Sequence, residues 1–131
     1  MIVDSSALVA IVEGETDADD FARRIRHGKI PAPVFVEAAI VLDNRLTTTR
    51  DRLGELLDYA SVSVIDFTPE MAAAARTAYR RFGRGSGHPA KLNFGDCLAY
   101  AAATVLDEPL LFKGEDFTHT DVRDARSEAA R

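Results

Sequence analysis

The chain opens on Ile2-Val3-Asp4-Ser5-Ser6-Ala7-Leu8, a two-residue β-branched run that ends on a carboxylate and passes at once into apolar helical sequence. A strand this short and wholly apolar has no polar face to turn to water. It must be covered on both sides, which points to parallel strands flanked by helices. Ser5 or Ser6 is the expected N-cap of the helix that follows through Val12.

The same alternation recurs along the chain. Gly14 breaks the first helix, and Ala18, Phe21, Ala22 and Ile25 follow helical spacing up to Gly28. A brief strand is expected around Ile30 to Ala32, confined by Pro31 and Pro33. Val34 to Leu42 reads as a helix apolar on nearly all sides except at Glu37, and such a helix is a buried one. Leu53, Leu56, Leu57 and Ala60 mark another amphipathic helix, and Ser61 to Phe67 has the alternation of a strand. Thr68-Pro69-Glu70 is an N-cap, a proline at the first helical position and an acid in the first turn; Met71, Ala72, Ala75, Ala78 and Phe82 follow. A loop covers Gly83 to Pro89. Asn93 to Asp96 resembles a capping box ahead of a helix through Leu106. Leu110-Leu111-Phe112 is the last strand, and Lys113 to Phe117 the turn leaving it.

Strands alternating with helices imply right-handed crossovers and helices on both faces of a parallel sheet. At 131 residues, 47% hydrophobic and 28% charged, one globular domain spanning 1–131 is expected, with a polar tail that frays after about residue 123. Cys97 is the only cysteine, so no intramolecular disulfide forms. No basic, then apolar, leader and no run of about 20 apolar residues is present. The expected location is the cytoplasm, with no membrane contact.

A net charge of −5 argues against general polyanion binding. One segment is the exception. From Arg76 to Lys91 the chain carries Arg76, Arg80, Arg81, Arg84, His88 and Lys91 and no acid, interleaved with Tyr79 and Phe82, a composition suited to a nucleic-acid backbone and a stacked base.

In an open parallel sheet, ligands gather beyond the C-terminal strand ends. Asp4 ends the first strand, Asp116 follows the last, and Glu37 and Asp96 stand in first turns of helices, so all four are expected at one edge. Carboxylates crowded there repel unless a cation sits among them. All-oxygen ligands suit Mg²⁺ or Mn²⁺, and no His or Cys pattern suggests zinc. Such a site can activate water against a phosphodiester.

These residues resemble the PIN-domain family, more closely its VapC-type ribonuclease toxins. The likeness rests on Ile2 to Leu8, on Glu37 after the Pro33 helix start, on Leu92-Asn93-Phe94-Gly95-Asp96-Cys97, and on Leu111 to Phe117. It implies a three-layer α/β/α sandwich around a short, mainly parallel sheet. It also implies a catalytic quartet of Asp4, Glu37, Asp96 and Asp116, with Mg²⁺ or Mn²⁺ held by Asp4, Asp96 and Asp116, and hydrolysis of RNA. Ser6 would hydrogen-bond near the metal, Asn93 would orient the acidic helix, and Asp121 would add an acid beside the pocket. Arg80, Arg81, Arg84 and Lys91 are the expected RNA contacts. A homodimer and a VapB-type antitoxin, wrapping the toxin with its C-terminal segment, are the implied partners. Two other readings stay open: a catalytically silent module whose acids receive a partner's Arg, and a receiver-like domain in which Asp66 is phosphorylated and Lys113 contacts the phosphate.

Overall fold

The computed structural model describes residues 1–128. Four strands, β1 (Ile2–Val3), β2 (Lys29–Pro31), β3 (Ser63–Ile65) and β4 (Leu110–Leu111), form one parallel sheet in the order β3-β2-β1-β4. Ile2 is in register with both Lys29 and Leu110, and Val3 with Leu111. β1 is therefore the inner strand on which the order reverses: the chain winds outward to β3 and then returns to the other side of β1. That reversal opens a crevice between β1 and β4 at their C-terminal ends. Asp4 N–H donating to the Leu111 carbonyl at 2.9 Å carries the ladder up to its rim.

Six helices complete the α/β/α layers: α1 (Ser5–Val12), α2 (Ala18–Arg24), α3 (Ala32–Arg45), α4 (Arg52–Tyr59), α5 (Pro69–Phe82) and α6 (Phe94–Val105). α1 packs on α2, α3 and α4, while α6 packs on α5 and α3. The core is continuous, with Ile2, Val3, Leu8, Ile30, Leu110 and Leu111 fully buried along the sheet. Among the described residues, no helix is long and apolar enough to cross a membrane.

The caps follow the sequence. Thr68 Oγ1 accepts from Met71 N–H at 3.2 Å with Pro69 behind it, a cap worth about 1 kcal/mol. Asp4 itself, rather than Ser5 or Ser6, is the N-cap of α1. Two expectations need correcting. α3 is not apolar on a buried circumference: Val34, Ala38 and Leu42 face the core, whereas Val36 and Ile40 are about half exposed. One helix face suffices to pack on the sheet layer, and an apolar run gives no sign of which face that will be. The stretch after residue 123 is also tied down as far as Glu128. Ala125 is buried, Arg24 Nη1 donates to the Ala125 and Glu128 carbonyls at 3.1 and 2.7 Å, and Arg126 pairs with Asp124 and lies 4.1 Å over the Phe112 ring. Residues 129–131, the remainder of the expected tail, lie outside the described residues.

Candidate active site

Asp4 is the only buried charged residue of the described chain, 3% exposed. β1 delivers it to the rim, and its dihedral angles are those of extended backbone, so the side chain turns back over the first turn of α1. Oδ2 accepts from Ser6 N–H at 3.1 Å and from Ser6 Oγ–H at 2.6 Å. Oδ1 is buried and has no hydrogen-bond partner. Burial pushes the carboxyl from its ordinary value up to about 7; the Ser6 bonds oppose that rise, and the negative charges of Asp96 and Glu37 add to it.

Ser6 has a second task. Its oxygen accepts from Lys113 N–H at 3.0 Å, which links the turn after β4 to the carboxylate that ends β1. That turn leads into a single 3₁₀ turn, Asp116–His119, beginning with the exposed Asp116. Lys113 extends its ammonium away, to Glu15 and Asp17.

Glu37 is steered by the preceding serine: Ser5 Oγ–H donates to Oε1 at 2.7 Å. Its other oxygen lies against Gly95 at the start of α6, where an added Cβ would stand 2.0 Å from Oε2. The acid is half-buried rather than enclosed. Asp96 belongs to a complete capping box. Its N–H donates to Asn93 Oδ1 at 2.8 Å, and its Oδ2 accepts from Asn93 N–H at 3.0 Å. Partial burial raises the Asp96 pKa, the Asn93 bond opposes it, Asp116 and Glu37 raise it further, and Arg84 lowers it.

Asp4 therefore feels the charges of Asp96 and Glu37, and Asp96 feels those of Glu37 and Asp116. Among the described residues, no group of three or more acids, histidines or cysteines is arranged to hold a metal ion as the side chains stand. Each of three carboxylates has a protein donor: Ser5 for Glu37, Ser6 for Asp4 and Asn93 for Asp96.

Asp121 has two protein partners of its own. It accepts from Tyr100 Oη and from Arg81 Nη1, and these contacts, Tyr100 first, hold its carboxyl below the ordinary range. Burial, followed by the Asp121 contact, pushes the Tyr100 phenol up to about 12. Of the basic residues, Arg84 acts on Asp96, Arg81 is paired with Asp121, and Arg80 and Lys91 are exposed. Phe82 is 3% exposed, packed edge-on against His88 and Tyr100, and so is unavailable to a base. The spacing of Met71, Ala75, Ala78 and Phe82 is that of a core stripe, and this could have shown it. Gly95 stands in the Leu92-Asn93-Phe94-Gly95-Asp96-Cys97 motif, but its contact with Glu37 was not foreseen, although a glycine inside an expected helix is a signal of close approach.

Residues 1–123 match the family model described as PIN domain. The chain is 46% identical over 129 residues to Ribonuclease VapC42 of Mycobacterium tuberculosis, covering 95% of this chain and 98% of that protein. It is 47% identical over 129 residues to Ribonuclease VapC28 of the same organism, covering 95% and 97%. A toxin–antitoxin complex from Klebsiella pneumoniae contains a chain of the same fold, with a TM-score of 0.65 at 14% identity over 88% of each chain.

Proposed function

The chain belongs to the PIN domain family, and from that premise we propose that it is a divalent-cation-dependent endoribonuclease, the toxin of a VapBC-type toxin–antitoxin pair. It acts as one domain over residues 1–131. The observation that carries this reading is Asp4 Oδ1, a buried carboxylate oxygen without a partner. Such an atom costs about 1–3 kcal/mol or more, and the charges of Asp96 and Glu37 act on the same carboxyl. One cation ligated there relieves both the orphaned oxygen and the repulsion. An all-oxygen donor set suits Mg²⁺ or Mn²⁺.

Asp4, Asp96 and Asp116 would hold the ion, which supplies positive charge beside a phosphodiester and makes nearby water more acidic. Ser6 occupies Asp4 Oδ2 and so leaves Oδ1 as the oxygen free to ligate. Glu37, hydrogen-bonded by Ser5, would orient the attacking water and accept its proton. Asn93 fixes one oxygen of Asp96 through the capping box. Arg84 offsets the negative charge that otherwise repels RNA; with Arg80, Arg81 and Lys91 it binds phosphates, Arg81 while holding Asp121 at the rim.

The relatives' names and the fold shared with a toxin–antitoxin complex support a VapB-type antitoxin as partner. Its C-terminal segment would wrap the toxin and set an Arg among the acids. A homodimer is part of the same reading, and Val36 and Ile40, exposed on α3, are apolar side chains that it could cover. The cytoplasm, where RNA and antitoxin meet, is the working location.

Purified protein should cut RNA with Mg²⁺ or Mn²⁺ and stop in chelator, and Asp4→Asn or Asp96→Asn should abolish cutting. Variants that cut as fast as the parent would overturn the reading. The second reading, a catalytically silent PIN-like module, is favoured by the protein donors Ser5, Ser6 and Asn93, which already hold an oxygen each of Glu37, Asp4 and Asp96. Failure to bind Mn²⁺, with retained binding of a basic antitoxin peptide, would establish it.

A further inference from the structure

We propose that Phe94 is a stacking platform for a base of the RNA beside the cleaved phosphate. This rests on the ribonuclease reading of the acidic edge. Phe94 is 76% exposed and has no place among the residues that form or abut the core. An apolar ring held in water at the first position of a helix does nothing for folding. Helical Cα–Cβ bonds tilt toward the N-terminus, so the ring leans off the end of α6 that carries Asp96.

Its neighbours define what would meet it. Two Cα steps separate Phe94 from Asp96, at most about 7.6 Å, and Gly95 between them lies against Glu37. On the other side, Gly83 and Leu92 pair as an isolated bridge, with Leu92 N–H donating to Phe82 O at 2.9 Å and Arg84 N–H to Leu92 O at 3.0 Å. That bridge pins Arg84 close to the residues that open α6, and Arg84 acts on Asp96. Among the described residues, neither Arg84 nor Lys91 is paired with a carboxylate. An aromatic face between cations and a site for phosphodiester chemistry is the composition of a single-stranded nucleic-acid site. Of the two aromatics that the sequence suggested for base stacking, Phe82 is buried and Tyr79 is 43% exposed; Phe94 is the exposed ring on the helix that carries Asp96.

The test measures binding of a short single-stranded RNA carrying 2-aminopurine, in the non-cleaving Asp4→Asn background with Mg²⁺. Adding Phe94→Ala should weaken binding about tenfold or more and remove the quenching of the probe. Phe94→Trp should retain both, and Phe94→Leu should behave like Phe94→Ala. On an RNA abasic at the stacked position, Phe94→Ala should cost little. If Phe94→Leu binds as tightly as the parent, or Phe94→Ala loses nothing, stacking is wrong. If Phe94→Ala leaves RNA binding intact but breaks a dimer in sedimentation or abolishes antitoxin binding, the ring belongs to a protein interface and the proposal falls. A Phe94-intact chain that neither binds nor cuts RNA removes the ribonuclease reading and this one with it; a chain that does both, unaffected by Phe94→Ala, removes only this one.

Discussion

Gly95 has no side chain where the carboxylate of Glu37 lies: a Cβ there would stand 2.0 Å from Oε2, 2.8 Å from Cδ and 3.0 Å from Oε1. All three atoms belong to the end of one flexible side chain, so Gly95→Ala should displace Glu37 rather than break α6. Alanine is also the better helix residue by about 1 kcal/mol. The expected outcome is a Tm equal to or above the parent's, with RNA cleavage reduced tenfold or more. Thermal melts and cleavage rates on the same preparation check it, and parallel losses in both would show that Glu37 cannot move.

Ser6 is the joint between β1 and the turn after β4, donating to Asp4 Oδ2 and accepting from Lys113 N–H. Ser6→Ala removes both bonds. Stability should fall by about 1–2 kcal/mol, and the Asp4 carboxyl, freed of a bond that favours its charged form, should rise further above its ordinary range. Ser6→Thr keeps the hydroxyl and should restore both stability and cleavage. Chemical denaturation of the three proteins measures the first effect, and their pH–rate profiles the second.

Much of this arrangement was legible in the sequence, and the parts that were not share a cause. The Ile2-Val3-Asp4 strand end, the Thr68-Pro69 helix start and the Asn93/Asp96 box are local patterns, each set by backbone groups within four residues. The parallel order follows from alternation and crossover handedness. The contact of Gly95 with Glu37 depends on how closely α3 and α6 approach, which no local pattern encodes. The direction of Val36 and Ile40 was hidden for a related reason: a continuous apolar run carries no polar face to orient it. The Tyr100 and Arg81 partners of Asp121 were hidden in the same way, since they lie 21 and 40 residues away in sequence.

Asp4 makes the metal-free protein sensitive to pH in a direction opposite to that of most carboxylates. Burial lifts its folded pKa from 3.8 to about 7, so the folded state holds the proton more tightly than the unfolded chain. Its contribution is then most favourable at low pH, declines as pH rises from about 3.8 to about 7, and is flat above that. The change is of order a few kcal/mol. In chelator, Asp4→Asn should be more stable than the parent at pH 8 and should lose most of this slope. A ligating cation must displace the same proton, so Mg²⁺ should raise Tm strongly at pH 8 and hardly at pH 5. Equal Mg²⁺ stabilisation at both pH values would show that Asp4 is not where the ion binds.

Asp116 and Asp121 are five residues apart, and their surroundings give them different work. Asp116 acts on the charge of Asp96, so it shares the field that a cation would neutralise. Asp121 is more than half exposed and is held by the Tyr100 phenol and the Arg81 guanidinium, contacts that already satisfy it without a cation. Asp116→Asn should therefore lower Mn²⁺ affinity and cut RNA cleavage a hundredfold or more. Asp121→Asn should leave Mn²⁺ affinity at the parent's value and cleavage within a few-fold, at a stability cost of about 1 kcal/mol or less, as expected for a pair screened by solvent. Calorimetric Mn²⁺ titration of both variants separates the two roles. A loss of Mn²⁺ binding in Asp121→Asn equal to that in Asp116→Asn would mean that Asp121 leaves Tyr100 to complete the site when the cation binds.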